Sequence, residues 1–293
     1  MNIYPSFKCN FGCRFCSLHK LPGKTIELDW LEQVLKDYPM LAEDINILGG
    51  EPTILPHDYQ ERLVDICTKA EGKPPFFITN LYRADSPVLD KVRLIVSYDF
   101  SLREHKNKVF RNMLLLDQPF AVSTIMTRNL VEDIGAEKYL RFIDRIQSIK
   151  RADLIMYRSG TTETDDTPNH KKLMEFQLAV CDHPKVNLTP YSSMKGIIDN
   201  SFDNVAARMG LLPDNKFGVR IDYNHIGYTP FDTMEEAEAY YKKRIQEIRQ
   251  DEPCSSCDYF GRCWCVGGFE KGRCHGDKEM MEAFDKHVHG ISQ

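Results

Sequence analysis

Apolar positions along the first half of the chain switch between short runs typical of strands and spacings of three or four residues typical of helices. Six short runs predict strands at residues 2–7, 45–48, 76–79, 92–98, 121–126 and 154–157. Helices are predicted between them, from capping boxes at Asp29 and Asp58 and over residues 105–117 and 136–149. This alternation specifies a parallel sheet with right-handed crossovers. We therefore predict an α/β fold of the partial (β/α)6 barrel type, in which the catalytic residues lie at the C-terminal ends of the strands.

The alternation fades after about residue 165. A helix is predicted over residues 170–181, and two short runs at 217–222 and 225–229 predict a hairpin. Thr233 and Glu236 form a capping box at the start of a further helix. The predicted domains are a barrel core at 1–165, connecting helices and a hairpin at 166–232, and a small cysteine-rich C-terminal domain at 233–293.

Composition places the chain among soluble proteins with a substantial core, since it is 42% hydrophobic and 28% charged with a formal net charge of −5. No stretch approaches the roughly 20 apolar residues of a membrane span, and the N-terminus lacks the features of a secretory signal. We expect a cytoplasmic protein without a membrane partner. A nucleic-acid substrate is possible but not favoured, because the chain has no basic run that would bind phosphates.

Ten cysteines in a reducing compartment indicate metal or redox chemistry rather than disulfides. Three lie at 9–16 and five at 254–274, at opposite ends of the chain. The remaining two, Cys67 and Cys181, fall on apolar faces of predicted helices and are expected to be small buried hydrophobes. The distribution predicts two metal sites.

The first cluster, formed by Cys9, Cys13 and Cys16, has the spacing C-x3-C-x2-C and directly follows the first predicted strand. A compact loop can bring three thiolates to one face, where they hold three irons of a [4Fe–4S] cluster. Because such clusters normally take four cysteine ligands, the missing fourth leaves one iron open, as in a catalytic site. The alternatives are a zinc site or chance clustering. Zinc knuckles favour a second cysteine pair nearby, and none follows within about fifty residues.

This spacing resembles the signature of the radical S-adenosylmethionine (SAM) superfamily. Phe15 matches the family's aromatic residue before the last cysteine, which packs near the adenine of SAM. The run from Gly49 to Pro52, after the second predicted strand, is similar to the family's GGEP motif, which binds the methionine amino group. Glycines let the backbone approach a ligand closely, and a carboxylate accepts hydrogen bonds from an amine. The resemblance implies SAM-binding roles for Phe15, Gly49, Gly50, Glu51 and Pro52.

Polar residues at later strand ends extend this resemblance over roughly residues 2–160. Asn80 follows the third strand, where the family often carries a Thr-Asn pair. Ser97 and Asp99 resemble the strand-four segment that reaches the SAM ribose, and Ser123 lies on the fifth strand, from which the family reaches the SAM carboxylate. For each of them, an ordinary polar strand end is an equal alternative to a cofactor ligand.

The resemblance implies an enzyme that reductively cleaves SAM to methionine and a 5′-deoxyadenosyl radical, which then abstracts a hydrogen atom from the substrate. The cofactors would be SAM and a [4Fe–4S] cluster with one open iron, and a flavodoxin- or ferredoxin-type protein would supply the electron. The cofactor carries the hard chemical step, while the protein positions the reacting atoms and excludes water.

The second cluster has five cysteines with the spacing C-x2-C-x5-C-x-C-x8-C, which predicts a metal site. Ligation by four cysteines suits both zinc and iron–sulfur. The C-x2-C-x5-C core resembles the SPASM and twitch extensions, which place auxiliary [4Fe–4S] clusters beside some radical SAM barrels. This implies one auxiliary cluster with the ligands Cys254, Cys257, Cys263 and Cys274.

Cys265 departs from the SPASM pattern, because it follows Cys263 after one residue where the family has three. The hairpin region also contains no cysteine, which argues against a second auxiliary cluster. Cys265 is either a spare thiol near the substrate with a catalytic role, an alternative ligand to Cys274, or structural.

The substrate is less well defined. SPASM and twitch enzymes commonly modify ribosomal peptides, sulfatase-type side chains or small polar metabolites, so we expect an amino-acid-type substrate in peptide modification or maturation. The chain starts directly on its first strand, so recognition of a precursor's leader would need a separate protein. The alternative is isomerisation or oxidation of a small molecule or of an amino-acid-bearing modified nucleotide or DNA base. A remote alternative is a non-catalytic iron–sulfur or zinc protein, against which the intact GGEP motif argues.

Overall fold

The structure of the protein, a computed structural model, describes most of the chain up to residue 188 and several shorter segments beyond it. The described residues are 1–13, 16, 18, 21, 24–100, 103, 105–157, 166–188, 209–219, 228–250, 254–259 and 278–289. Within them, none of the helices is long and apolar enough to cross a membrane.

The described residues contain ten strands, which form one sheet. They are β1 (Asn2–Ile3), β2 (Asn46–Ile47), β3 (Phe76–Thr79), β4 (Arg93–Ser97), β5 (Phe120–Met126), β6 (Ile149–Met156), β7 (Val186–Leu188), β8 (Met209–Leu212), β9 (Lys216–Val219) and β10 (Thr229–Phe231). Strands β1 to β7 are parallel and adjacent in chain order, β8 is parallel to β1 on its other side, and β9 and β10 continue the sheet antiparallel. The predicted α/β fold with a parallel sheet is therefore confirmed.

Seven α-helices accompany the sheet in the described part of the chain. They are α1 (Leu28–Asp37), α2 (His57–Glu71), α3 (Lys106–Leu114), α4 (Gly135–Arg145), α5 (His170–Val180), α6 (Met234–Arg249) and α7 (Lys278–His289). Their apolar faces form one core with alternate residues of the strands. The capping box at Thr233 and Glu236 is present at the start of α6.

Several predicted helix boundaries are wrong, including the end of the helix predicted over residues 105–117, which is Leu114 in α3. Asp29 and Asp58 lie inside the first turns of α1 and α2 rather than at their caps, where an acidic side chain still favours the positive end of the helix dipole. The helix predicted to reach residue 149 ends at Arg145, and Ile149 instead begins β6. Two adjacent charged residues, Lys150 and Arg151, had obscured the strand pattern there.

Two strands were not predicted, so the strand–helix alternation continues beyond residue 165. Strand β7 follows α5 and pairs in parallel with β6, and β8 pairs with β9 in a hairpin. The β8–β9 turn contains Asp214 and Asn215 in the left-handed region, with φ of 71° and 58°, which these two residue types tolerate. The predicted pairing of the two runs near 217 and 229 is present as β9–β10, while its predicted turn lies outside the described residues.

The two faces of the sheet differ in character. Val122 and Leu154 point into the main core against the helices. Ser97, Ser123 and Asp153 lie in register with one another on the opposite face and are half-buried. This opposite face is therefore polar and partly exposed to solvent over β4 to β6. The predicted site lies next to it, at the C-terminal ends of the strands.

Candidate active site

The cysteine loop leaves the C-terminal end of β1 and folds back on itself. The amide of Phe11 donates a hydrogen bond to Cys9 Sγ at 3.4 Å, and the amide of Cys16 donates to the carbonyl of Cys13 at 3.0 Å. Cys13 is buried, whereas Cys9 and Cys16 are half-buried. Phe15 lies outside the described residues.

The thiols of this loop are close enough to influence one another. Burial raises the pKa of Cys9, and it raises the pKa of Cys13 to about 11; in both cases the charge of Cys16 adds to the increase. Thiolates crowded in this way need a positively charged group to hold them deprotonated. An iron–sulfur cluster supplies that charge, so the donor set fits the cluster that the spacing predicts.

Gly49 and Gly50 pack directly against the segment that enters the cysteine loop. The amide of Gly50 donates to Ser6 O at 3.0 Å, and the amide of Glu51 donates to Lys8 O at 2.8 Å. A Cβ on Gly49 would lie 2.5 Å from Ser6 O, and one on Gly50 only 1.9 Å from Lys8 O. The close approach that requires glycine here is to the protein's own backbone, a requirement that sequence analysis had attributed to a ligand.

Glu51 is the centre of a buried hydrogen-bond network. Only 2% of this residue is exposed. Its Oε1 accepts hydrogen bonds from the Thr53 amide at 3.0 Å and from the hydroxyls of Thr53 and Thr79, each at 2.7 Å. Its Oε2 accepts one from the Asn80 amide at 2.6 Å. Burial raises the pKa of Glu51, and these hydrogen bonds oppose that increase.

Asn80 extends this network to the cysteine loop. Its Nδ2 donates to Asn10 Oδ1 at 2.9 Å, and its Oδ1 accepts from the Tyr82 amide at 2.9 Å. The Cys9 thiol lies 3.8 Å from the same Asn10 oxygen. A continuous polar path thus joins the GGEP loop, the end of β3 and the cysteine loop.

Gln60 holds the GGEP loop by hydrogen bonds from helix α2, and sequence analysis did not identify it. Its Nε2 donates to the carbonyls of Thr53 at 3.2 Å and Leu55 at 2.6 Å, and its Oε1 accepts from the Ser86 hydroxyl at 2.6 Å. Gln60 is fully buried. The sequence did contain a signal for a buried role of Gln60. It lies on the buried face of α2, three residues before Leu63, at a position where an apolar residue is expected.

Asp99 and Arg103 form a buried ion pair beside the cysteine loop. Arg103 Nε and Nη2 donate to Asp99 Oδ2 at 3.0 and 2.8 Å, and the Ile125 amide donates to Oδ1 at 3.0 Å. Burial by itself lowers the pKa of Arg103, but the charges of Asp99, Cys13 and Cys16 outweigh it and raise that pKa. Arg103, which the sequence analysis did not single out, is therefore a cation of the described residues whose charge interacts with the thiols.

The second set of predicted ligands is largely outside the described residues. Cys263, Cys265 and Cys274 all lie there. Cys254 begins a short helical turn, Cys254–Ser256, and Cys257 directly after it is half-buried.

A different group of possible ligands, Cys181, Asp182 and His287, lies where α7 meets the end of α5. Their ligand atoms are within 4.8 Å of one another. His287 Nε2 lies 2.6 Å from Asp182 Oδ2, so this pair joins the two helices. Cys181 is buried, as is Cys67.

Comparison with known proteins places this site in a family. Residues 3–167, more than half of the chain, match the Radical SAM superfamily. No curated protein sequence matches the chain.

Solved structures share the fold over most of the chain. Streptococcus suis SuiB bound to S-adenosylmethionine is 17% identical, with a TM-score of 0.61 over 92% of this chain and 72% of that chain. Native anSMEcpe with bound AdoMet and the Cp18Cys peptide is 17% identical, with a TM-score of 0.69 over 99% of this chain and 97% of that chain. SuiB bound to the precursor peptide SuiA is 16% identical, with a TM-score of 0.60 over 92% and 71% of the two chains. With the family match covering β2 to β6 of the parallel sheet and the cysteine and GGEP loops, this chain belongs to the radical SAM superfamily and is a radical SAM enzyme.

Proposed function

We propose that this enzyme modifies an amino-acid-type side chain of a peptide, using the site between the cysteine loop and the GGEP loop. The observation that carries the proposal is the hydrogen-bonded path from Glu51 through Asn80 to Asn10, which joins the two motifs in one site. The two motifs lie far apart in the chain, so their meeting is not a consequence of local sequence.

Cys9, Cys13 and Cys16 would hold the [4Fe–4S] cluster, which together with SAM supplies the one-electron cleavage of SAM when both are bound. Glu51 Oε2 receives one hydrogen bond from the protein. Because a carboxylate oxygen can accept two hydrogen bonds, Oε2 has one acceptor position left, which we assign to the methionine amine of SAM. Gly49 and Gly50 hold that carboxylate in position by packing on the segment that enters the cysteine loop, and Pro52 begins the helical turn that directly follows it.

The remaining assignments concern the rest of SAM. Asn80 would orient the cofactor next to the cysteine loop, and Phe15 would pack near its adenine. Ser97 and Ser123 lie side by side in register on the open face of the sheet, where they can reach the ribose and the carboxylate. Asp99 would act mainly by holding Arg103, because both of its oxygens accept hydrogen bonds from the protein.

The peptide substrate is supported by the structural neighbours. SuiB is seen with the precursor peptide SuiA, and anSMEcpe with the Cp18Cys peptide. The open face of β4 to β6 offers a floor for such a segment, since Ser123 and Asp153 are half-buried there and Ile155 is exposed. A separate leader-binding protein would recognise a precursor's leader.

The C-terminal region would form a SPASM- or twitch-like domain with one auxiliary [4Fe–4S] cluster. We assign its ligands to Cys254, Cys257, Cys263 and Cys274, with Cys265 as the alternative ligand or as a thiol near the substrate. The boundaries at 1–165, 166–232 and 233–293 go with this assignment. A flavodoxin- or ferredoxin-type donor in the cytoplasm would supply the electron.

Anaerobic reconstitution tests the ligand assignment. The wild-type chain should bind about eight irons and eight sulfides, and C9A/C13A/C16A about half as many. On reduction with dithionite, the wild type should release 5′-deoxyadenosine and the triple variant none. C67A, which removes a buried cysteine outside both clusters, is the matched control. A triple variant that keeps the full iron content and SAM cleavage would show that the ligands lie elsewhere.

Mass spectrometry tests the substrate. The enzyme would be incubated with SAM, dithionite and short peptides encoded beside its gene, and in parallel with free amino acids and with nucleosides. We expect a mass change in a peptide, together with increased release of 5′-deoxyadenosine. Turnover of an amino acid or a nucleoside alone would replace the peptide proposal with the small-molecule alternative.

A further inference from the structure

Helix α3 carries exposed cations that have no acidic partner among the described residues. Between residues 105 and 116 the sequence holds Lys106, Lys108 and Arg111 and no acidic residue, in a chain whose net charge is −5. All three are exposed, and none is in an ion pair with a carboxylate of the described residues. Lys108 and Arg111 are three positions apart and so lie on the same side of the helix, where they form a stripe, whereas Lys106, two positions before Lys108, lies on a different side.

The same stripe ends in exposed apolar side chains. Leu115 is 76% exposed and Leu114 is 54% exposed. Leu115 follows Lys108 by seven residues, which continues the stripe by helical periodicity. An exposed apolar group flanked by polar and charged side chains matches the arrangement of a protein interface, which has an apolar centre and a polar rim.

Two aromatic rings connect this stripe with the cysteine loop. Lys108 Nζ lies 3.6 Å from the centre of the Tyr82 ring. The Tyr82 ring packs edge-on against Phe11 at a centroid distance of 5.6 Å, and the His105 ring contacts both. Phe11 is buried, and it lies between Cys9 and Cys13 in the sequence of the loop. The surface of α3 is therefore separated from the loop that would hold the cluster by two rings in contact.

Helix α3 and this ring path are held as one unit. Asn112 Nδ2 donates to the carbonyls of Leu81 at 2.8 Å and Tyr82 at 3.3 Å. The Tyr82 amide in turn donates to Asn80 in the network of the candidate site. A partner bound to α3 would therefore be connected to the cysteine loop through side chains that are held in fixed positions.

We propose that the stripe formed by Lys108, Arg111 and Leu115, with Lys106 at the start of the same helix, is the docking surface for an acidic, flavodoxin-type electron donor. The proposal rests on the proposed function, because it needs a cluster at the first cysteine loop. One electron leaves the flavin hydroquinone, which becomes the semiquinone, and reduces the cluster by one electron through the Tyr82 and Phe11 rings. Opposite charges would steer the encounter, and the apolar end of the stripe would anchor it.

Stopped-flow reduction of the reconstituted enzyme by the hydroquinone of a bacterial flavodoxin tests the surface. K106E/K108E/R111E should lower the second-order rate of cluster reduction by about tenfold or more at low ionic strength. The difference should shrink at 1 M salt, where the Debye length falls to about 3 Å. The matched control is K36E/K69E/K171E, which changes the net charge equally through exposed lysines of α1, α2 and α5 and should keep the wild-type rate.

Reduction by dithionite separates this proposal from the proposed function. Both variants and the wild type should be reduced by dithionite at the same rate and should then release 5′-deoxyadenosine equally. A wild-type protein without a reducible cluster would refute the ligand assignment rather than the docking surface. The docking surface is refuted if the α3 variant reacts with flavodoxin as fast as the control. If that variant also no longer binds a short RNA that the wild type binds, the cations of α3 bind nucleic acid instead.

Discussion

Gln60 offers a sharp test of how the GGEP loop is held. Its amide group donates to two carbonyls of the loop and accepts from the Ser86 hydroxyl. Replacement of Gln60 by Leu keeps a side chain of similar size and helical preference. It removes all three hydrogen bonds and leaves the carbonyls of Thr53 and Leu55 without this donor.

The expected loss in the free energy of unfolding follows from those three hydrogen bonds. A hydrogen bond contributes about 1 kcal/mol net, and a buried acceptor without its donor costs about 1–3 kcal/mol. Q60L should therefore lower the free energy of unfolding by about 3 kcal/mol. At about 2–4 °C for each kcal/mol in a large domain, this corresponds to a Tm lower by about 6–12 °C.

Thermal unfolding of the reconstituted enzyme, together with the KM for SAM, is the assay. Because Gln60 positions the loop that carries Glu51, we expect the KM for SAM to rise while the iron and sulfide content remains that of the wild type. Q33L is the matched control, since Gln33 lies on the exposed face of α1 and donates one hydrogen bond to Asp37. A surface change of this kind should shift stability by less than about 0.5 kcal/mol.

If Q60L melts within about 1 °C of the wild type and keeps its KM for SAM, the buried hydrogen bonds of Gln60 do not hold the GGEP loop. A loss of stability with an unchanged KM would leave Gln60 a structural residue without a positioning role.

Three further variants probe the same site. Gly50→Ala should abolish SAM binding because its Cβ would lie 1.9 Å from a backbone carbonyl, whereas Gly72→Ala has open space and should cost only about 1 kcal/mol through its positive φ; calorimetry with SAM distinguishes them. Arg103→Met leaves a buried carboxylate unpaired and should lower the free energy of unfolding by about 3–5 kcal/mol, against less than about 0.5 for Arg141→Met in an exposed pair; equal melting temperatures would contradict this. Because burial raises the pKa of Glu51, its contribution to stability is complete below its ordinary pKa of 4.5 and is lost as pH rises through the raised value. The Tm of the wild type relative to Glu51→Gln should therefore fall as pH increases from about 4 to 7, and a flat difference would show that the carboxyl titrates normally.

Much of the parallel sheet could be predicted because its strands and helices differ in apolar period. β3 has the predicted bounds, and α5 differs from its prediction only at the last residue. The missed strands lacked that signal. All four residues of β8 are buried, so its pattern has no alternation, and β7 has only three residues.

The sequence by itself determined the chemistry, because the spacing of Cys9, Cys13 and Cys16 and the run from Gly49 to Pro52 are local patterns with specific ligand preferences. Only the tertiary structure decided what surrounds them. It showed that the two glycines are required by the backbone at Ser6 and Lys8, and that Gln60 and Arg103 support the site. These roles depend on contacts between residues that are distant in the chain, and such contacts exist only once the sheet has assembled. The same holds for the cations of α3, whose significance comes from the ring path that packing places beside them.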